Sequence, residues 1–223
     1  MNESKEILGL RVDCLSAKEA MMRAMRFMEN VPVDTIEILT MDALLSLSGH
    51  EAWTGNPAVP GLILPGDPEI LDAADVQDEK TKKEIRNRTF LKMFLKYLQK
   101  NRRKVFLLAA DEEDMDSLTD ALERMNRRLV ITGQALTGSA EGREEKVVNE
   151  INGTDTECII SVIPSPYQEM FIGENRELLN AKLWLGCGAV MKEIRDDNAA
   201  GRFGRLLQKF MFRRRVERQQ KKD

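Results

Sequence analysis

Histidine is almost missing from this chain: His50 is the only one in 223 residues. A Ser-His-Asp triad or a histidine metal centre therefore has hardly any material. Cysteine is scarce as well. Cys14, Cys158 and Cys187 are odd in number, widely spaced and never form a CxxC pair, which argues against a disulfide framework or a zinc site. Aromatic residues make up 5%. Trp53 and Trp184 stand alone, so no stacking array for nucleic-acid bases is present. No apolar run approaches the roughly 20 residues that a membrane-spanning helix needs. The opening MNESKEILG lacks the basic and then apolar stretches of a secretory leader. The expectation is a cytoplasmic, reduced protein, at most peripheral on the inner face of a membrane.

What is present is enough for a packed core: 42% of the residues are hydrophobic. One domain with an appendage is the natural division for this length. Charged residues make up 32%, and the net charge is −3. That average hides an asymmetry. Residues 201–223 carry nine Lys/Arg against Glu217 and Asp223, a net +7, which leaves −10 for the rest. An acidic body with a basic tail suggests a separate partner for the tail. The soft stretch Asp196–Gly201 places the boundary, giving a body over 1–196 and a basic appendage over 197–223.

Short apolar runs alternate with amphipathic stretches. Strands are expected at Ile7–Val12, Thr35–Thr40, Gly61–Leu64, Lys104–Ala109, Leu129–Thr132, Cys158–Ile163 and Lys182–Leu185. Each is short and rich in β-branched residues or Leu, as strands covered on both faces should be. Ser16-Ala-Lys-Glu19 is a capping box, followed by Ala20, Met21, Ala24, Met25 and Met28 at helical spacing. Further helices are expected at Asp42–Leu47, Glu79–Lys100, Glu112–Arg127, Gly142–Asn152 and Pro166–Leu179. This alternation predicts an α/β sandwich with a largely parallel sheet flanked by helices. Ligands in such folds sit at the carboxyl ends of the strands.

Seven segments at or near those ends resemble, in order, the WecG/TagA/CpsF family of bacterial glycosyltransferases. The phrase "ILGVxVD" is matched by Ile7-Leu-Gly-Leu-Arg-Val-Asp13, and "TPNAE" by Thr40-Met-Asp-Ala-Leu44. "LPDGIGV" resembles Leu64-Pro-Gly-Asp-Pro-Glu-Ile70, and "VFLLGG" resembles Val105-Phe-Leu-Leu-Ala-Ala110. "GxPxQExW" corresponds to Pro164-Ser-Pro-Tyr-Gln-Glu-Met-Phe171, and "IGVGGxFD" to Leu185-Gly-Cys-Gly-Ala-Val190. The tail phrase "EWLYRLxxEPxRxxRR" is similar to residues 202–215. The resemblance implies a Rossmann-like, metal-independent, inverting transferase that uses no cofactor. Its substrates would be a UDP-sugar of the N-acetylmannosamine type and a lipid-linked acceptor in cell-envelope polysaccharide synthesis. Members often self-associate, so a homo-oligomer is open; nucleic acid is not an implied partner.

Carried over residue by residue, the resemblance makes Thr40, Gln168, Glu169, Gly186 and Gly188 substrate-binding candidates. The general base is less direct. Where the family has the Asp of "LPDG", this chain has Gly66, and the acid stands at Asp67. Asp42 replaces the Asn of "TPNAE". Either carboxylate could take the proton of a sugar hydroxyl, Asp67 with help from Glu69. Either could equally be a helix cap. Gln168 is a pocket amide that can donate and accept, or part of a helix cap. The glycine pair that lets phosphates approach is replaced by Ala109-Ala-Asp-Glu-Glu113, whose methyls and acids would hinder a diphosphate. Arg86 and Arg88 lie where the family places a pocket arginine, but the surrounding motif is absent, and both read as solvated. Cys187 is a reactive thiol or a buried filler.

In the tail, Phe203, Leu206, Leu207 and Phe210 form an apolar stripe flanked by Arg202, Arg205, Lys209 and Arg213. Such a helix suits an anionic membrane surface. The resemblance adds a donor-diphosphate role for Arg213, Arg214 and Arg215. Two functional readings stay open: an active transferase with a rearranged site, and a catalytically inactive relative acting as a binding or scaffold protein at the membrane.

Overall fold

A computed structural model describes residues 4–30, 32–48, 61–125, 128–138, 143–193, 209 and 211–219. His50, Trp53, the apolar stripe 203–210 and the expected domain boundary lie outside the described residues. The chain begins with a hairpin, β1 (Ser4–Ile7) and β2 (Leu10–Asp13). A single strand over Ile7–Val12 is therefore corrected. Leu8 and Gly9 both take positive φ, 55° and 80°, the signature of a tight two-residue hairpin turn.

Six strands make one parallel sheet: β3 (Asp34–Leu39), β4 (Gly61–Pro65), β5 (Lys104–Ala109), β6 (Val130–Leu136), β7 (Cys158–Ser161) and β8 (Leu183–Gly186). Their order is β4-β3-β8-β7-β5-β6. The Rossmann-like α/β architecture is the expected one. β6 lies one residue later and runs longer than the expected strand, because as an edge strand it is half exposed and carries Gly133 and Gln134, which mute its apolar signal.

The helices are α1 (Ala17–Phe27), α2 (Met41–Leu47), α3 (Pro68–Ala73), α4 (Glu79–Arg86), α5 (Thr89–Lys100), α6 (Glu112–Arg124), α7 (Arg143–Asn152), α8 (Tyr167–Asn175) and α9 (Gly188–Glu193). Alternate residues of the strands feed two cores. Val105, Leu107, Ile160 and Leu185 pack with α1, α5, α6 and α9 on one face. Phe106, Leu108, Ile159 and Trp184 pack with α7 and α8 on the other. The capping box of α1 is complete: Ser16 accepts from the Glu19 N–H, and Glu19 accepts from the Ser16 N–H at 3.0 Å.

The helix expected over Glu79–Lys100 is two. Arg88 sits at φ 54° between α4 and α5. The apolar stripe begins only at Phe90, and Phe90, Leu91, Phe94, Leu95 and Leu98 are all buried. Each contributes about 1.5–3 kcal/mol by leaving water. Upstream, α4 buries Thr81 and Lys82 instead, and its one apolar residue, Ile85, is only half-buried. Likewise, the helix expected over Pro166–Leu179 ends at Asn175 and closes with a 3-10 turn, Arg176–Leu178.

A third apolar cluster joins the hairpin, α2, α3 and the tail. Ile7, Leu10, Leu44, Leu47 and Ile70 surround Phe212 and Val216 of a helix over 211–219. Lys209 forms an ion pair with Glu69 of α3. The described part of the tail is thus docked on its own body, with Arg213, Arg214 and Arg215 exposed.

Candidate active site

The carboxyl ends of β3 and β7 and the N-termini of α2 and α8 enclose a cleft of about 170 Å³. Thr40, Asp42, Ser46, Ser165, Gln168 and Gly188 supply its polar wall. Thr40, not Asp42, is the N-cap of α2, with its side-chain oxygen 3.4 Å from the Ala43 N–H. That removes the capping explanation for Asp42. The Asp42 side chain is exposed in the first turn and lines the cleft, and partial burial moves its carboxyl above the usual range. The higher proton affinity that burial confers is closer to what a general base needs.

Asp67 has another task. It stands at the N-cap position of α3, ahead of Pro68, but its side chain makes no capping hydrogen bond there. Its Oδ2 instead accepts from the Met41 N–H at 2.8 Å, placing a carboxylate at the N-terminus of α2. Gly66 is fixed by packing. Its N–H donates to the Leu39 carbonyl at 2.7 Å, and a Cβ there would lie 2.9 Å from that oxygen. Glu69 is paired with Lys209 rather than turned to assist Asp67. Arg88, expected to be solvated, is half-buried and donates to the Gly66 carbonyl. The left-handed break before α5 is what turns it to this loop.

Behind the cleft lies a buried polar cluster that the strand pattern concealed. Glu37, in the middle of β3, is 1% exposed. Its Oε2 accepts from Gln168 Nε2 at 2.7 Å. Gln168 is therefore no helix cap; its amide is committed to β3. Glu169 accepts from the Ser165 hydroxyl at 2.6 Å. Burial first, and then the neighbouring Glu169, pushes the Glu37 carboxyl well above the carboxylate range. The Trp184 indole beside it offsets this a little, without a full hydrogen bond. Burial also raises Glu169, against the bond from Ser165. Glu37 Oε1, Gln168 Oε1 and Glu169 Oε2 are buried with no hydrogen-bond partner among the described residues. An acceptor left so costs about 1–3 kcal/mol.

Gly186 makes the cluster possible. It pairs with Glu37 in the sheet, and a Cβ on it would fall 1.8 Å from Glu37 Oε2 and 2.5 Å from Gln168 Nε2. The sequence did hold one sign of Glu37: an acid flanked by Ile36 and Ile38 in the interior of a strand patterned for burial on both faces. Cys187 is buried, and burial pushes its thiol upward, which fits a filler and not a nucleophile.

The end of β5 is built differently. Asp111 is the N-cap of α6 and accepts from the Asp114 N–H at 2.9 Å. The carbonyls of Ala109 and Ala110 accept from Thr137 and Gly138. A larger cleft of about 530 Å³ lies nearby over β6, between α6 and α7. Its rim mixes Glu112, Asp116 and Glu150 with Arg143 and Lys146, and none of the site candidates lines it.

With this geometry in place, the family comparison is decisive. The profile of the glycosyl transferase WecG/TagA/CpsF family matches residues 5–198. The chain belongs to that family. No individual curated protein matches it. As a member of the WecG/TagA/CpsF glycosyltransferases, it inherits a family-level place in cell-envelope polysaccharide synthesis. Among the described residues, no helix is long and apolar enough to cross a membrane. None of their His, Cys, Asp and Glu side chains form a group of three or more that could hold a metal ion.

Proposed function

We propose that this protein moves an N-acetylhexosamine-type sugar, similar to N-acetylmannosamine, from a UDP donor to a lipid-linked acceptor. One observation carries the reading: Thr40, Asp42 and Gln168, all at positions matching the family's pocket, line a single cleft at the carboxyl ends of the strands. At about 170 Å³ the cleft suits one sugar ring better than a whole nucleotide sugar, since drug-sized ligands occupy roughly 300 Å³ or more. In this mechanism Thr40 and Gln168 hold the sugar. Asp42 takes the proton of the acceptor hydroxyl as that oxygen attacks the anomeric carbon, and UDP departs from the opposite face with inversion. Asp67 holds the first turn of α2, which carries Asp42. The exposed Arg213, Arg214 and Arg215 are suited to the diphosphate or to an anionic membrane surface.

Calorimetry with UDP and several UDP-sugars, with liposomes present, tests the reading. Absence of binding at millimolar ligand by the folded protein would refute it. The rival is an inactive relative that binds at the membrane. It draws support from Asp111, whose carboxylate already occupies the α6 N-terminus beside the position where the family's glycines admit phosphate. Turnover of any nucleotide sugar that disappears in Asp42→Ala or Asp67→Ala excludes this rival.

A further inference from the structure

The proposed transfer gives work to Thr40, Asp42 and Gln168, and none to Glu37. Yet Glu37 occupies a central strand, between β4 and β8, where a valine or isoleucine would pack at no electrostatic cost. Its neighbours are fitted to it. Gly186 of β8 has no side chain, and a Cβ would strike both Glu37 Oε2 and Gln168 Nε2. Gln168, 3% exposed, reaches from α8 to place Nε2 on Glu37 at 2.7 Å. An amide has two ends. With Nε2 committed, Oε1 is left over, buried and without a partner among the described residues, on a side chain that lines the cleft.

We propose that Glu37 is a positioning residue that sets the roll of the Gln168 amide. The cleft thereby offers Oε1 as an acceptor and takes its ligand through a hydroxyl or N–H donor of an amino sugar. The inference deepens the glycosyltransferase reading and rests on it for the class of ligand. A neutral carboxyl performs the same task, because Oε2 still accepts when the proton is on Oε1. Discrimination follows: a site built around a buried acceptor rejects analogues that lack the donor far more strongly than an apolar pocket rejects a misfit.

Two measurements test this. The first needs no ligand. The Gln168 side-chain amide is observed by ¹⁵N–¹H correlation and assigned by its disappearance in Gln168→Ala. In the native protein and in Glu37→Gln, its protons should be shifted from the solvent-exposed position and slow to exchange. In Glu37→Leu both features should vanish. An unchanged amide in Glu37→Leu overturns the proposal. If that variant does not fold, fast exchange of the native amide overturns it instead.

The second is a double-mutant cycle on the affinity for UDP-N-acetylglucosamine, with thermal denaturation confirming folded protein. Glu37→Leu and Gln168→Ala should each weaken binding about ten-fold, the size of one lost hydrogen bond. The double variant should be no worse than Gln168→Ala, because Glu37 acts only through Gln168. Glu37→Gln should restore native affinity. Multiplying losses, or a native affinity in Glu37→Leu, overturn the proposal. If the native protein binds no UDP-sugar while the amide still follows Glu37, the transferase reading fails and the positioning role stands.

Discussion

The two halves of the sheet's carboxyl edge treat their polar groups in opposite ways. At β5 the chain satisfies itself. Asp111 caps α6, and the two carbonyls before it, Ala109 and Ala110, are bonded to Thr137 and Gly138 just past β6. At β3, β8 and β7, buried acceptors on Glu37, Gln168 and Glu169 have no partners among the described residues and lie behind a cleft. Native proteins rarely leave buried polar groups unpaired, and each exception calls for a reason. The contrast teaches where to place a site in a chain whose motifs have drifted. At the end of β5, Asp111 serves the fold; behind the end of β3, Glu37 and Glu169 each keep a buried oxygen that has no partner among the described residues.

The sharpest way to break the contrast is to fill Gly186. In Gly186→Ala the new methyl must displace Glu37 Oε2, which its Cβ would meet at 1.8 Å, within a four-residue strand buried throughout. Overpacking of this kind costs about 3 kcal/mol. For a chain of this length that lowers the melting temperature by roughly 10 °C. Thermal denaturation reads it, and an unchanged melting point would mean that Glu37 and Gln168 are not held against β8.

Next in size is the chemistry assigned to Asp42. Asp42→Asn should slow turnover at least ~100-fold, the lower end of general-base catalysis, while leaving UDP-sugar affinity within about three-fold. With Asp42 as the proposed base, turnover requires the ionised acid. Because burial raises its affinity for protons, activity should fall as the pH drops through a value above the ordinary aspartate range. Steady-state kinetics against pH shows this limb, and Asp42→Asn should lack it. If Asp67→Asn instead abolishes the limb, the proton acceptor is Asp67.

Glu37 sharpens the comparison through stability. Its folded-state proton affinity lies above that of the unfolded chain. The folded state therefore binds the proton more tightly. Stability from this group is fully present below the unfolded pKa and is lost as pH rises through the folded one. Glu169 acts with the same sign. Urea denaturation of Glu37→Gln should give a curve that is flatter with pH than the native protein's, with the variant gaining relative stability on the alkaline side. Parallel curves would show that Glu37 is charged in the fold.

The sheet and most helices were legible in the sequence because local pattern dictates them. Lys104–Ala109 alternates between two cores, and Ser16-x-x-Glu19 caps α1 without help from elsewhere. The turn at Leu8–Gly9 and the break at Arg88 were not legible. Both rest on positive φ at non-glycine residues, and what turns Arg88 to Gly66 is tertiary. The site divides along the same line. Thr40, Asp42 and Gln168 stood out by resemblance, and the fold sets them along one cleft. That Asp67 serves Met41 and that Glu37 holds Gln168 depends on contacts 26 and 131 residues apart, which no spacing reveals.

The smallest expected effect checks the quiet half of the comparison. Asp111→Ala removes one N-cap bond from α6 and should cost about 1 kcal/mol. Thermal denaturation should show a drop of roughly 3 °C. Because Asp111 is exposed and outside the cleft, affinity for a UDP-sugar should not fall. A gain is the informative alternative. Removing this carboxylate exposes the N–H groups of the α6 N-terminus, which favour anions. If the donor diphosphate approaches β5 in this protein as it does where the family keeps its glycines, Asp111→Ala should bind UDP more tightly than the native chain, and more so at low ionic strength. Unchanged affinity at every salt concentration would place the diphosphate elsewhere, with the arginines of the tail next to be replaced.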